Sequence, residues 1–243
     1  YRFRVSDGTT GIEVDGAAVV NDGKWHHFAF TVDRSGNLLA YVDGQLDKTT
    51  DITSINNAID PDEDLILGAS YSGGSQNFGG NACKVGIYKG TVLTQAQVRS
   101  IMLATSYAAT AAVVTPSLFY LLQDNYNDST GNQNGTNNGS TLTGTRCHLP
   151  YGLTSTDNRH DARLYTGRGI DFDGTGDFIS LGHPDDLDGF FNTGGTVSMW
   201  VNMTSTATFE RLFDFGTGTN LYLQGSFGGY VFNKDYGTTN GEW

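Results

Sequence analysis

The hydrophobic pattern of the first hundred residues is that of short strands joined by tight turns. Ile12 and Val14 alternate with polar neighbours ahead of Asp15-Gly16, and Ala18 to Val20 form another short run ahead of Asn21-Asp22-Gly23. The strongest segment is Trp25 to Val32. His26, Phe28, Phe30 and Val32 fall on one face, and Trp25, His27, Ala29 and Thr31 on the other. Both faces are largely apolar, which predicts a central strand of a sandwich rather than an edge. Leu38 to Val42 and Gln45 to Thr49 flank Asp43-Gly44, and Asp-Gly between alternating runs predicts a two-residue hairpin. Leu65 to Leu67 and Cys83 to Tyr88 read as further strands on either side of a Gly/Ser loop.

A helix interrupts this pattern. Thr94-Gln95-Ala96-Gln97 fits a capping box, and Val98, Ile101 and Met102 recur at helical spacing. The helix is expected to fade through the Ala/Thr stretch from Ala104 to Thr115, with Pro116 marking a boundary. Leu118 to Leu122 opens a second unit, followed by a polar loop from Asp124 to Ser140 and an irregular insertion from Thr141 to Arg168. Ile170 to Phe172 and Phe178 to Leu181 flank Asp173-Gly174-Thr175-Gly176-Asp177 and read as a hairpin. Val197 to Val201, Arg211 to Phe215, Leu221 to Leu223 and Tyr230 to Phe232 complete the strands. The expected fold is an all-β antiparallel sandwich with one short helix after its first unit.

Composition sharpens this picture. Of the 26 acidic residues only Glu13, Glu63, Glu210 and Glu242 are glutamates, and glycine numbers 33 among 243 residues. Aspartate with glycine is the chemistry of turns, whereas glutamate favours helices. The formal charge of −12 repels phosphate backbones and anionic headgroups, which excludes nucleic acid and a membrane surface as expected partners. No run of 18 apolar residues is present, so no membrane insertion by a helix is expected. Cys83 and Cys147 lie far apart without a C-x-x-C spacing, which excludes a zinc ribbon and leaves their pairing open.

Several ordered motifs carry a family likeness. Asp22-Gly23-Lys24-Trp25-His26-His27-Phe28-Ala29-Phe30-Thr31-Val32-Asp33 and the following Leu39-Ala40-Tyr41-Val42-Asp43-Gly44 resemble the central signature of laminin G-like domains. Those domains belong to the concanavalin A-like lectin/glucanase superfamily. Leu65-Ile66-Leu67-Gly68, Phe78-Gly79-Gly80, Ile87-Tyr88 and Leu93-Thr94 are similar to the motifs that follow in that family. In the second half, Asp128-Ser129-Thr130-Gly131-Asn132, the stretch from Asp171 to Leu181 and Thr196 to Val201 resemble the family's opening half. The resemblance implies a concanavalin A-like jelly roll.

The two likenesses overlap. Thr239-Asn240-Gly241-Glu242-Trp243 repeats Asn21-Asp22-Gly23-Lys24-Trp25, an offset of 218 residues. Residues 1–109 then read as the C-terminal part of one unit, 110–117 as a linker and 118–243 as the N-terminal part of the next. The chain, which starts at Tyr1, reads as a slice of a tandem array. A single permuted sandwich is the alternative, and the duplicated segment before each Trp favours the array. Either half alone would expose sheet edges, so a neighbouring copy or flanking unit is expected to complete it.

Catalysis is not expected. Glycosidases of this fold carry closely spaced carboxylates on one strand, typically Glu-x-Asp-x-Glu, and no such string occurs. Asp60-Pro61-Asp62-Glu63-Asp64 begins like a calcium loop, but Leu65 stands where its glycine belongs and Tyr71 where its last glutamate belongs. His26 and His27 point to opposite faces of one strand and cannot converge on one ion. The resemblance implies calcium at the sandwich rim, with Asp128 first and Asp173 or Asp177 next as candidate ligands. Cys83 stands where the family's first-unit aspartate would be. Sugars are gripped by aromatic faces with Asn and Asp on their hydroxyls, so Tyr71, Asn77 and Tyr126 are the candidate glycan contacts. The expected role is a non-catalytic carbohydrate-binding or adhesion module of a larger repetitive protein, extracellular or on a virion surface. The alternatives are a structural spacer or assembly subunit and, behind that, an accessory domain of a polysaccharide-degrading enzyme.

Overall fold

The computed structural model describes residues 1–58, 64–70, 76–147, 167–183, 192–204, 210–215 and 221–225. Its strands are β1 (Arg2–Ser6), β2 (Gly11–Asp15), β3 (Trp25–Val32), β4 (Asn37–Val42), β5 (Gln45–Asp51), β6 (Leu65–Leu67) and β7 (Gly79–Lys89). After helices α1 (Gln95–Leu103) and α2 (Tyr107–Ala111) come β8 (Leu118–Tyr120), β9 (Thr136–Asn138), β10 (Thr141–Cys147) and β11 (Gly167–Asp173). The last four are β12 (Phe178–Ser180), β13 (Gly195–Met203), β14 (Glu210–Phe215) and β15 (Leu221–Gly225). They form two antiparallel sheets, in the orders β2-β1-β15-β14-β6-β12-β9 and β10-β11-β7-β13-β3-β4-β5, with β8 added on β7.

Alternation in β3 builds the core as the sequence pattern requires. Phe28, Phe30 and Val32 join Phe3, Val5, Leu67, Ile87, Phe172, Val197, Met199 and Phe213 between the sheets. The opposite face of β3 is also buried, because α1 lies over it. Ala29, Tyr41 and Tyr88 pack there with Leu93, Val98 and Ile101. The Thr94 capping box is formed, with the Gln97 N–H donating to Thr94 Oγ1 and the Thr94 N–H to Gln97 Oε1. Arg99 Nε and Gln95 Nε2 both donate to the Gly44 carbonyl, which docks the helix on the β4–β5 turn. That turn has positive φ at Asp43 and Gly44, as the Asp-Gly hairpin signal predicts.

Four expectations change. Ala18 to Val20 is not a strand: Val19 is exposed, while Ala18 packs partly and Val20 fully against the core from irregular backbone. The Ala/Thr stretch forms a second short helix, because the Ser106 hydroxyl accepts the Ala109 N–H and restarts the turn. The irregular insertion contains β10, and the polar loop contains β9. The segments flanking Asp173 to Asp177 are not a hairpin. β11 pairs with β7 and β10, whereas β12 pairs with β6 and β9 in the other sheet. Two glycines at positive φ, Gly174 and Gly176, turn the chain across the roughly 10 Å between sheets.

Segments 1–109 and 118–225 share both sheets. β13 is hydrogen-bonded on one side to β3, from Gly195↔Val32 to Asn202↔Trp25, and on the other to β7. β1 pairs with β15 and β6 lies between β14 and β12. At the last partners of the β7–β13 pairing, Met203↔Gly80, Gly80 lies close against β13. A side chain there would fall inside the van der Waals surface of the Asn202 carbonyl oxygen, and φ is +151°. Gly80→Ala is therefore expected to cost on the order of 2–4 kcal/mol, measured by urea unfolding. A loss below about 0.5 kcal/mol would mean that β7 and β13 are not packed this closely.

Candidate binding rim

The strands bring their ends to two rims of the sandwich, and β7 spans the distance between them. At the rim where β7 ends, aspartates organise loops. Asp7 accepts the N–H groups of Thr9 and Thr10 on one oxygen and of Asn56 and Asn57 on the other, at 2.7 to 3.0 Å. Asp128 is buried and accepts four backbone N–H groups, from Phe119, Thr130, Asn132 and Gln133, together with the Thr130 hydroxyl. Backbone N–H groups converging on both oxygens are the surroundings of an anion. In this arrangement Asp128 holds its loop to β8, and the calcium expectation for it meets a ring of donors rather than acceptors.

At the opposite rim, where β7 begins, the register of the larger sheet lines up one row. Asp171 stands beside Asn81, Asn81 beside Asn202, and Asn202 beside Trp25. Asn81 Nδ2 donates to Asp171 Oδ1 at 2.7 Å, and Asn202 Nδ2 donates to the Gly23 carbonyl at 2.7 Å. The Trp25 ring lies against Gly169, where a side chain would strike its edge. Trp25 is 8% exposed and packs with Cys83, Met102 and Trp200. The row thus aligns a carboxylate, two oriented amides and an indole at the end of one sheet; Asn81, Asn202 and Trp25 are buried, and half-buried Asp171 is its member nearest solvent.

The same rim receives most of the residues that the sequence nominated. Asp173 pairs with Gly79 and is exposed, its Oδ1 accepting the Thr175 N–H. Asp177 is buried, accepts the Asp173 N–H on Oδ2 at 2.9 Å, and packs against Gly139. Asn77 bridges to Arg211, and its Oδ1 is buried without a hydrogen-bond partner. Tyr126 packs partly on the core and donates its hydroxyl to the Ser140 carbonyl, next to Gly139. Its ring is held as a strut rather than offered as a stacking face. Asp128 is at the other rim, about seven residues of β7 or roughly 23 Å away. Tyr71 lies outside the described residues, as does most of the acidic cluster, 60–63. Asp171, Asn81 and Asn202 escape a reading of alternation alone, because only the register across three strands reveals them as neighbours.

The two histidines part as strand geometry demands, and their charges part with them. His26 sits between Asp43, 2.8 Å from Nδ1, and Asp22, 3.0 Å from Nε2. Burial works against a charge there, but the carboxylates of Asp43 and Asp22 outweigh it and hold the pKa above the ordinary imidazole value. Burial, reinforced by the nearby Lys84 ammonium, pushes His27 down to about 3. His27 Nε2 lies 2.8 Å from Ser198 Oγ, the spacing of a base and a nucleophile. Both side chains are buried, however, and Nδ1 of His27 has no partner, so no carboxylate orients the ring. The pair is a buried cross-strand hydrogen bond. Among the described residues no group of three or more His, Cys, Asp or Glu side chains is arranged to hold a metal ion.

Residues 1–99 match a laminin G family model described as concanavalin A-like lectin/glucanases superfamily. No curated protein and no solved structure matches the chain.

Two predictions follow from the charged groups at the two rims. A raised pKa means that the stability contributed by His26 is complete below its unfolded value, near 6.5, and is lost as pH rises through the folded value above it. At pH 6 the His26→Gln variant should be less stable by about 1–2 kcal/mol, with the gap narrowing towards pH 9. A gap that stays constant over that range would remove the imidazolium from the account. Replacing Asp128 by Asn should cost about 1.5–3 kcal/mol, read by thermal or urea unfolding. The loss should be equal in calcium and in chelator, and a loss confined to calcium-containing buffer would make Asp128 a ligand.

Proposed function

Taking the chain, through residues 1–99, as a member of the laminin G branch of the concanavalin A-like superfamily, we propose that it is a binding module for extracellular glycans. Asp171, backed by the buried Asn81, Asn202 and Trp25, and exposed Asp173 beside it form its contact point. The superfamily assignment fits a carbohydrate-binding or adhesion module, and laminin G-type domains are usually non-catalytic and typically extracellular. The observation that carries the finer reading is the row itself. Half-buried Asp171, fixed by the Asn81 amide, presents a carboxylate acceptor to a sugar hydroxyl, and the buried Asn202 and Trp25 behind it hold that end of the sheet in place. The acidic character of the rim selects neutral or basic sugars over sulfated or phosphorylated ones. Asp173 lies exposed at the same rim and is the carboxylate with the freest access to calcium if the ligand is held through an ion. The 218-residue repeat supports a place within a larger repetitive protein, of the kind that carries adhesion modules on a cell or virion surface. Among the described residues no helix is long and apolar enough to cross a membrane.

A glycan array probed with the labelled chain, in calcium and in chelator, tests this reading. Retention of a neutral or basic glycan is expected, with Asn81→Ala weakening it about tenfold, the size of one lost hydrogen bond. Binding unchanged in Asn81→Ala and Asp171→Ala would move the site elsewhere. No retention in either buffer would leave the chain a structural spacer.

A further inference from the structure

The sandwich is assembled from two segments whose mutual contacts run through both sheets, yet one short stretch of backbone joins them. Residues 1–109 supply β1 to β7 and both helices begin within it, while 118–225 supply β8 to β15. Seven strand pairings cross between the segments: β1 with β15, β6 with β12 and β14, β7 with β8, β11 and β13, and β3 with β13. The connection is 112–117, with Pro116 near its end. It is anchored at both ends: Val113 and Val114 pack on the cluster under α1, Pro116 is buried, and Ser117 accepts hydrogen bonds from Lys89, Thr130 and Asn132, all of which exchange must release or re-form. Val114 N–H bonds back to the Thr110 carbonyl and Ser117 N–H to the Ile87 carbonyl. Fully extended, these six residues span about 20 Å, enough to carry 118–225 away from the 1–109 segment that precedes it.

A second observation says where that segment would go. The 218-residue offset that relates Trp25 to Trp243 also relates Phe3 to Leu221 and Val5 to Leu223. β1 and β15 are therefore the same strand of the repeat, and in the structure they lie side by side, with Phe3↔Leu223 and Val5↔Leu221 as partners. The segment 118–225 thus leads in sequence into a second version of the opening of 1–109. A half-sandwich followed by the start of its complement is built to find that complement ahead of it. The same surfaces also serve when the complement lies behind it in the same chain.

We propose that residues 118–225 of one copy and 1–109 of another form the sandwich that they form within one chain. Copies then join head to tail by exchanging halves about a hinge at 112–117. The partner is a second copy of this chain, because its 1–109 surface is the one already fitted to 118–225, strand by strand. Exchange makes no contact that the closed form lacks. Its balance against closure is set by concentration, since a short linker holds its own half at an effective concentration on the order of 1 mM. The inference is independent of the glycan reading, as no residue of the row changes neighbours on exchange.

The β1–β15 seam gives the test. Arg4 and Tyr222 are register partners, so Arg4→Cys in one copy and Tyr222→Cys in another can be linked only if the copies exchange. The two full-length variants are mixed in denaturant, refolded together, oxidised, and read by non-reducing gel and by mass spectrometry of the 4–222 linked peptide. The doubly substituted chain serves as the closed reference. At about 1 mM roughly half of the mixture should exchange, and about one tenth of it at about 0.1 mM. A 4–222 heterodimer with that concentration dependence supports exchange. A linkage that forms only within the doubly substituted chain, at every concentration, overturns it. Absence of the linkage from both would overturn the seam itself, and with it the proposal.

Discussion

The pairing of β13 with β3 on one side and β7 on the other is the interaction on which the rest of the molecule depends. It places Val197, Met199 and Val201 in the core against Phe28 and Phe30. It puts Ser198 and Trp200 on the opposite face, beside His27 and under α1. It also decides which side chains meet at the rim, since Asn202 reaches both Asn81 and Trp25 only in this register. A slip of one residue would reverse every one of these placements. The close packing of Gly80 on the Asn202 carbonyl, and the hydrogen bonds from Thr204 N–H and Oγ1 to the Gly79 carbonyl, fix that register at the rim.

Aspartate does different work at the two rims, and the difference is local geometry rather than composition. Asp7 and Asp128 are surrounded by backbone N–H groups, so each is a knot that ties loops together. Asp171 and Asp173 stand on or just beyond a strand end, where the sheet engages one side of each carboxylate and leaves the other towards solvent. Asp22 and Asp43 grip an imidazole instead, each from a turn. One residue type therefore supplies loop closure, charge pairing and a solvent-facing strand end in one small fold.

Much of this was legible in the sequence, and the limits were physical. The Asp43-Gly44 turn and the Thr94 capping box are local devices, written in two and four residues, and both form as read. The two faces of β3 were evident because each repeats every second residue. Alternation does not say which sheet a strand joins, which is why the residues around Gly174-Thr175-Gly176 read as a hairpin when they cross between sheets. β9, Thr136-Asn137-Asn138, has no apolar residue to announce it and exists because β12 offers it an edge. The rim was half legible. Asn77, Asp173 and Asp177 were identified from residue type and motif and share one rim with Tyr126 close by, but Asp171, Asn81 and Asn202 become neighbours only through pairings that span about 90 and about 120 residues.

That span has a consequence for how the protein is made. At synthesis rates of about 5–20 residues per second, the edges of β3 and β7 emerge roughly five to thirty seconds before β13 exists to cover them. During that interval Phe28, Phe30 and Ile87 belong to a nascent sheet with two unclaimed margins. Neighbouring ribosomes on one message would hold such margins close together, so spacing along the message and the presence of a chaperone bear directly on which polypeptide supplies the missing strand.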